Sequence, residues 1–206
     1  MKKNLKQLAS AAEPAATEPG AALLDAAREI FVQEGVKGLS VRRVADKAGC
    51  TTMAVYSRFQ GKEGLLSALY DEGFDKLAQA QLAVKPALAG SAKLLAFCHA
   101  YRTTALANPH HYALMLGQFS GEHTPTPASQ LKALATLDRL TDAVAATTSM
   151  KGKRRKQCAE VASRLFAFCH GWVSLERIGF FGDAGEAARQ FERAVWALCT
   201  TEKKPA

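Results

Sequence analysis

Cysteine stands beside histidine twice, in AFCHAY at 96–101 and AFCHGW at 167–172. Thiolate and imidazole ligate structural zinc, and they are the nucleophile and base of thiol catalysis. Cys98-His99 and Cys169-His170 are therefore the residues whose types could do metal or covalent chemistry. Their spacing argues against both. Neighbours on a helix point about 100° apart, so an adjacent Cys and His cannot close on one ion as an i, i+4 pair can. A four-ligand site would need all four side chains to converge between two helices, whereas zinc sites space their paired ligands about two to four residues apart. No GxSxG elbow, HExxH or phosphate loop accompanies the pairs. Neither metal, cofactor nor catalytic residue is expected, and the chain is read as a non-enzyme.

The helical faces suggest packing instead. Cys98 shares a face with Leu94, Tyr101 and Ala105, and Cys169 with Leu165, Trp172 and Val173. Free cysteine behaves there as a small buried hydrophobe. His99, beside Leu95, Arg102 and Leu106, and His170, beside Phe166 and Val173, read either as satisfied core histidines or as polar anchors in an apolar ligand pocket.

The elements that position these residues follow from periodicity. Leu23, Ala26, Ala27, Ile30 and Phe31 mark one helical face that Gly35 ends. Ser40 caps a short helix to Ala48, with Val44 and Ala45 inward and Arg42 and Arg43 available outside. Gly49 breaks it, Thr51 opens another to about Arg58, and a longer helix follows Gly61. Two short helices about a tight turn form a helix-turn-helix pattern. Beyond Pro86, segments 91–107, 109–120, 127–150, 153–181 and 184–200 read as helices, with Asn108-Pro109, Thr126-Pro127 and Asp183 as start signals. No alternating β-branched run occurs, so the expected class is all-α. The expected organisation is a disordered tail over 1–20, a helix-turn-helix domain over 21–77 and a second helical domain over 78–206.

Composition narrows the class further. The chain has 206 residues, 48% of them hydrophobic, and five cysteines without a CxxC pair, which suggests free thiols and a reducing, cytoplasmic location. Lys6 and Gln7 interrupt any signal-like apolar stretch, so neither export nor membrane insertion is expected. The net charge is +8. Between Val36 and Lys62, six basic residues face only Asp46, a local patch able to meet a polyanion. Lys151, Lys153, Arg154, Arg155 and Lys156 read as a solvated loop and helix start. Lys2, Lys3 and Lys6 read as part of a solvated tail, the alternative being an arm into a minor groove.

The major groove admits one helix, while the preceding helix crosses the backbone. The parts are present in GLSVRRVADKAGCTTMAVYSRFQGKEGLL. Residues 21–77 resemble the DNA-binding domain of the TetR family of bacterial transcriptional regulators. The carrying residues are Ala27, Phe31 and Gly35, GLSVRRVA at 38–45, AGC at 48–50, and the MAVYSRF…KE…L pattern from Met53 to Leu65. The resemblance implies that Ser40 contacts phosphate and Arg42 reaches the groove. Thr51, Thr52, Met53, Ser57 and Arg58 then read bases or grip backbone, Tyr56 meets the sugar-phosphate chain, and Lys62 binds phosphate. Met53-Ala54 and Ser57-Arg58 depart from the commoner residues at those positions, so the operator cannot be borrowed from a relative.

RLFAFCHGWVSLERIGFF at 164–181 resembles the HGxxxLE segment of one C-terminal subtype of that family, the WHG type, with NPHHYALMLG at 108–117 as a preceding helix. It implies an effector-binding and dimerising domain. Candidate pocket residues are Phe97, His99, Tyr101, Tyr112, Met115, Phe119, Leu137, Phe168, His170 and Trp172. The last two helices would pair with those of a second copy, through Ala162, Phe166, Val173, Phe191, Val195 and Leu198. The expected protein is a homodimeric repressor on a near-palindromic operator, released by a small-molecule effector. An all-α enzyme or metal protein built on the Cys-His pairs, and a redox sensor at Cys50, remain the alternatives.

Overall fold

The computed structural model describes residues 19–116, 123–147 and 155–200; among them the regular structure is entirely α-helical, without a strand. The helices are α1 (Pro19–Gly38), α2 (Val41–Lys47), α3 (Thr52–Phe59), α4 (Lys62–Leu82), α5 (Gly90–Ala107), α6 (Pro109–Met115), α7 (Pro127–Ala145), α8 (Arg155–Arg177) and α9 (Ala184–Thr200). The disordered-tail expectation, the Lys2, Lys3 and Lys6 arm, Phe119 and the Lys151–Arg154 cluster lie outside the described residues.

Four of the start signals act as capping chemistry, whereas Asn108 makes no side-chain cap to α6 and its Nδ2 donates back to the Thr104 carbonyl at 2.9 Å. Ser40 accepts a hydrogen bond from the Arg43 amide at 3.3 Å and Thr51 one from the Ala54 amide at 3.3 Å. Thr126 accepts from the Ser129 amide at 3.1 Å ahead of Pro127. Asp183 accepts from the amides of Gly185 and Glu186, and these bonds hold its carboxyl below the usual range. Each cap satisfies donors that a helix start would leave unpaired.

Several ends differ from the sequence expectation. The helical run of α1 breaks at Gly35, whose φ of 67° only glycine adopts readily, before a further turn to Gly38. α6 stops at Met115 rather than 120. α7 stops at Ala145 rather than 150, where the Thr147 hydroxyl donates to the Val144 carbonyl and competes with helix continuation. α8 ends at Arg177 rather than 181, because the chain turns through Gly179 at φ 77°.

The chain divides into two compact units within α4, between Leu65 and Leu66, earlier than the expected boundary after residue 77. In the first unit α1, α2 and α3 pack on one another around Leu23, Phe31, Val44 and Val55, all fully buried. In the second, α8 packs on α5, α7 and α9, and the core is built on Phe97, Cys98, Tyr101, Leu165, Cys169 and Phe191. No helix among the described residues is long and apolar enough to cross a membrane.

Candidate functional site

In the first unit, burial sorts α3 into two faces. Val55 is its buried residue, while Thr51, Thr52, Met53, Tyr56, Ser57 and Arg58 are exposed. Met53 is 72% and Tyr56 55% exposed, which is costly for such side chains unless that face meets something. The hydroxyls are partly committed: Thr51 caps α3, and the Ser57 Oγ donates to the Ala54 carbonyl at 3.1 Å. Gly61 permits the Tyr56 ring to lie close over the turn into α4, since a Cβ there would stand 3.1 Å from Tyr56 Cε1. Lys62 opens α4, where backbone N–H groups and the helix dipole favour an anion.

The two arginines of α2 have different fates. Arg42 is highly exposed and only loosely paired with Asp46, at 3.8 Å. Arg43, expected to stay available, is turned back onto Glu34 at 2.7 and 2.5 Å and onto the Gly38 carbonyl at 2.7 Å. This forked contact fastens α2 to the end of α1 and holds the Glu34 carboxyl below its usual range. Arg43 is thus an internal brace.

In the second unit the two Cys-His pairs come apart. Cys98 and Cys169 are free thiols, 2% exposed each, and they meet in the core between α5 and α8. Hydrogen bonding to Cys169, reinforced by burial, pushes the Cys98 thiol well above the usual range. His99 turns instead to α9 and meets the Phe191 ring edge-on at 5.5 Å. His170 turns to α6, its Nδ1 lying 2.6 Å from the Tyr112 hydroxyl, which also donates to the His170 carbonyl at 3.2 Å. Burial lowers the pKa of both imidazoles. Among the described residues no three His, Cys, Asp or Glu side chains gather as metal ligands.

Behind the thiols lies a small cavity of about 20 Å³, walled by Leu77 and Gln81 of α4, Phe97 and Tyr101 of α5, and Phe166 of α8, with Thr136, Leu137 and Leu140 of α7. A second, of about 10 Å³, shares Leu77 and Tyr101 and reaches Asn108, His111, Tyr112 and Met115. Of the pocket residues expected from sequence, Phe97, Tyr101 and Leu137 line the first, and Tyr101, Tyr112 and Met115 the second. His170 lines neither and reaches the second only through Tyr112. His99, Phe168 and Trp172 line neither cavity and pack on Phe191. Gln81, Thr136 and the two thiols were missed: a lone glutamine near a helix end carries no periodic signal.

The expected partner face also needs correction. Ala162, Val173, Phe191 and Val195 are 0% exposed within the chain, so they have no surface to offer a second copy. Phe166 stands in the cavity wall, edge-on to Tyr101 at 5.7 Å, and is also 36% exposed, so it keeps surface for a partner. Leu198 is exposed, and so are Leu175 and Trp196 on α8 and α9 and Ile178 and Phe180 just beyond α8.

Comparison with known proteins accounts for both units. Residues 23–69 match the family described as bacterial regulatory proteins, tetR family, and residues 94–198 match the tetracyclin repressor-like C-terminal domain. The chain is similar to the HTH-type transcriptional regulator YobS of Bacillus subtilis, 28% identical over 114 residues, covering 55% of this chain and 60% of that protein. It is also similar to the HTH-type transcriptional regulator Rv1816 of Mycobacterium tuberculosis, 28% identical over 130 residues, 61% of this chain and 56% of that one. The chain thus spans about three fifths of the length of these two relatives. The crystal structure of the regulatory protein SCO4313 superposes with a TM-score of 0.72 at 25% identity, covering 87% of this chain and 94% of that one. A TetR variant from Acinetobacter baumannii, solved with minocycline, shares the fold at a TM-score of 0.61 and 18% identity over 86% of this chain and 92% of that one. The chain belongs to the TetR family of bacterial helix-turn-helix transcriptional regulators.

Proposed function

We propose that the protein is a homodimeric repressor that reads a near-palindromic operator and leaves it when a small molecule enters the second unit. The observation that carries this reading is the sorting of α3, which turns Val55 inward and Thr52, Met53, Tyr56, Ser57 and Arg58 outward. Arg58 reads a base edge, Tyr56 grips the sugar-phosphate chain, and Ser40, Thr51 and Lys62 hold phosphates, with Arg42 free to reach the groove. Two copies set two recognition helices on two half-sites. The dimer forms through the exposed side of α8 and α9, where Ala167, Gly171 and Leu175 follow one another on one face and Trp196 and Leu198 add area.

The effector binds among the helices of the second unit. An effector preferred by the conformer with wrongly spaced recognition helices lowers operator affinity, and operator DNA lowers effector affinity by the same factor.

The test is a mobility shift of the purified protein on DNA flanking its own gene, with competitor DNA, followed by random-site selection if that DNA is silent. A discrete complex is expected, weakened by about 1–3 kcal/mol in Arg58→Ala and also in Tyr56→Ala, with unchanged melting temperatures. Absence of any selected sequence would sink the reading.

A further inference from the structure

The interior cavities of about 20 and 10 Å³ hold no more than a water molecule. A surface groove of the second unit is larger, about 310 Å³, within the size range of small-molecule sites. It runs between the end of α4, the connection into α5, the start of α5 and the second half of α7. Leu82, Val84, Pro86, Phe97 and Ala143 make its lining mainly apolar. Gln81 is 7% exposed and lines both the groove and the larger interior cavity. Its Nε2 donates to the Thr136 carbonyl at 3.0 Å, which ties α4 to α7 and fixes the width of the groove between them.

Three charged side chains share that lining, Lys93, Arg139 and Asp142, and they are not equivalent. Asp142 is exposed and accepts from Arg155 Nη1 at 2.5 Å, so its charge is answered from outside the groove. Lys93 and Arg139 are half-buried, and neither meets a carboxylate or a hydrogen-bond acceptor among the described residues. Lys76, Arg102, Lys132 and Arg189 of the same unit each find a carboxylate. A half-buried cation gives up hydration, and without a counter-charge that loss is uncompensated. Helix periodicity sets both cations beside apolar surface: Lys93 shares a face of α5 with Phe97, and Arg139 a face of α7 with Ala143, each four residues on.

We propose that this groove binds a small aliphatic monocarboxylate, its carboxylate held by Lys93 and Arg139 and its alkyl chain laid along Leu82, Val84 and Phe97. The Arg139 guanidinium offers a forked pair of donors matched to a carboxylate, and Lys93 adds a point charge. Leu82, Val84, Pro86 and Ala143 are aliphatic, so the lining suits a flexible chain better than a stacked ring. Asp142 on the rim repels a second negative charge, and the two cations repel a positive one. This rests on reading the second unit as an effector domain and adds the site and the class of molecule it takes.

The experiment is titration calorimetry of the full chain with octanoate, 1-octanol, octylammonium and acetate. Octanoate is expected to bind, octanol about tenfold or more weakly because it leaves both cations unpaired, and octylammonium and acetate not measurably. Arg139→Gln should bring octanoate affinity down toward that of octanol while leaving octanol unchanged. Lys93→Gln should lower octanoate affinity as well and serves if Arg139→Gln melts early. Equal binding of octanoate and octanol, preference for octylammonium, acetate binding as tightly as octanoate, no binding of octanoate, or an unaltered octanoate-to-octanol ratio in both variants would overturn the assignment. A mobility shift with the same compounds separates the two readings. If octanoate binds with this selectivity but leaves the operator complex intact, the site stands and effector-driven release falls. Operator release by octanol or octylammonium and not by octanoate would leave release standing and overturn the carboxylate assignment.

Discussion

At the residue scale the instructive side chains are His99 and His170, which share a sequence context and have separate partners. His99 rests against Phe191, and His170 shares a 2.6 Å hydrogen bond with Tyr112, over whose ring Arg177 lies at 5.4 Å. Burial lowers the pKa of both, so the fold favours the neutral ring. Their contribution to stability is therefore complete above the ordinary value of 6.5 and is lost as pH falls below it through the lowered folded values. Melting temperature should fall on acidification from neutrality. His170→Asn should flatten part of that slope, leaving the His99 part; an unchanged slope would show that His170 is not among the titrating groups. Neither histidine was assignable from sequence, because a core histidine and a pocket anchor have the same neighbours on a helical wheel until the facing helix is known.

At the element scale, helix existence was legible and helix pairing was not. Caps at Ser40, Thr51, Thr126 and Asp183 are local chemistry within three residues, and the sequence pattern located each of them. The polar ties between helices join residues far apart in the chain. Arg102 on α5 forks onto Glu176 on α8, with Nε donating at 2.8 Å and Nη2 closing the second bond, while the Arg102 guanidinium also lies over Phe191. Their side chains are 11% and 9% exposed. A pair this deeply desolvated is costly to break: Glu176→Ala leaves an unpaired guanidinium and should destabilise the second unit by about 3–5 kcal/mol. Chemical denaturation would show this as a lowered midpoint. Replacing both residues with leucine should recover much of the loss, because the unpaired charge is removed with its partner; no recovery would mean that packing of the Arg102 stem dominates. Glu176 and His170 are the two polar members of the HGxxxLE segment, and their partners on α5 and α6 explain what that segment does mechanically: it pins α8 to two neighbouring helices.

At the scale of the whole molecule, the proposed dimer depends on which side of α8 is left uncovered. Of the residues expected from sequence, Ala162, Val173, Phe191 and Val195 are closed off in the chain's own core while Phe166 and Leu198 stay exposed, and an open side of α8 runs along Ala167, Gly171 and Leu175 toward Ile178. Gly171 gives a clean test, since a Cβ added there meets nothing within 4 Å. Gly171→Glu should fold normally, gaining helix propensity of up to about 1 kcal/mol, yet obstruct a partner helix and bring a charge into an apolar contact. Sedimentation is expected to show a dimer for the natural chain and a monomer for the variant, with operator affinity falling in parallel because two half-sites are no longer linked. A dimeric Gly171→Glu protein would move the interface elsewhere.

What the sequence by itself determined is everything carried by short-range pattern: an all-α chain, the caps, the buried stripe of α1, the recognition helix with Val55 inward and Arg58 outward, and the family motif around them. These are set by residues within a turn or two of one another, where 3.6-residue periodicity and capping leave little choice. The tertiary structure alone decided that Cys98 meets Cys169 while their histidines diverge, that Arg43 braces α1, that Ala162, Val173, Phe191 and Val195 are core, and that Gln81 stands over a cavity. Each of these depends on which helix lies opposite. α8 is apolar on more than one side, so periodicity cannot rank its faces, and the Gln81 to Thr136 bond spans 55 residues of chain. Only packing supplies that information.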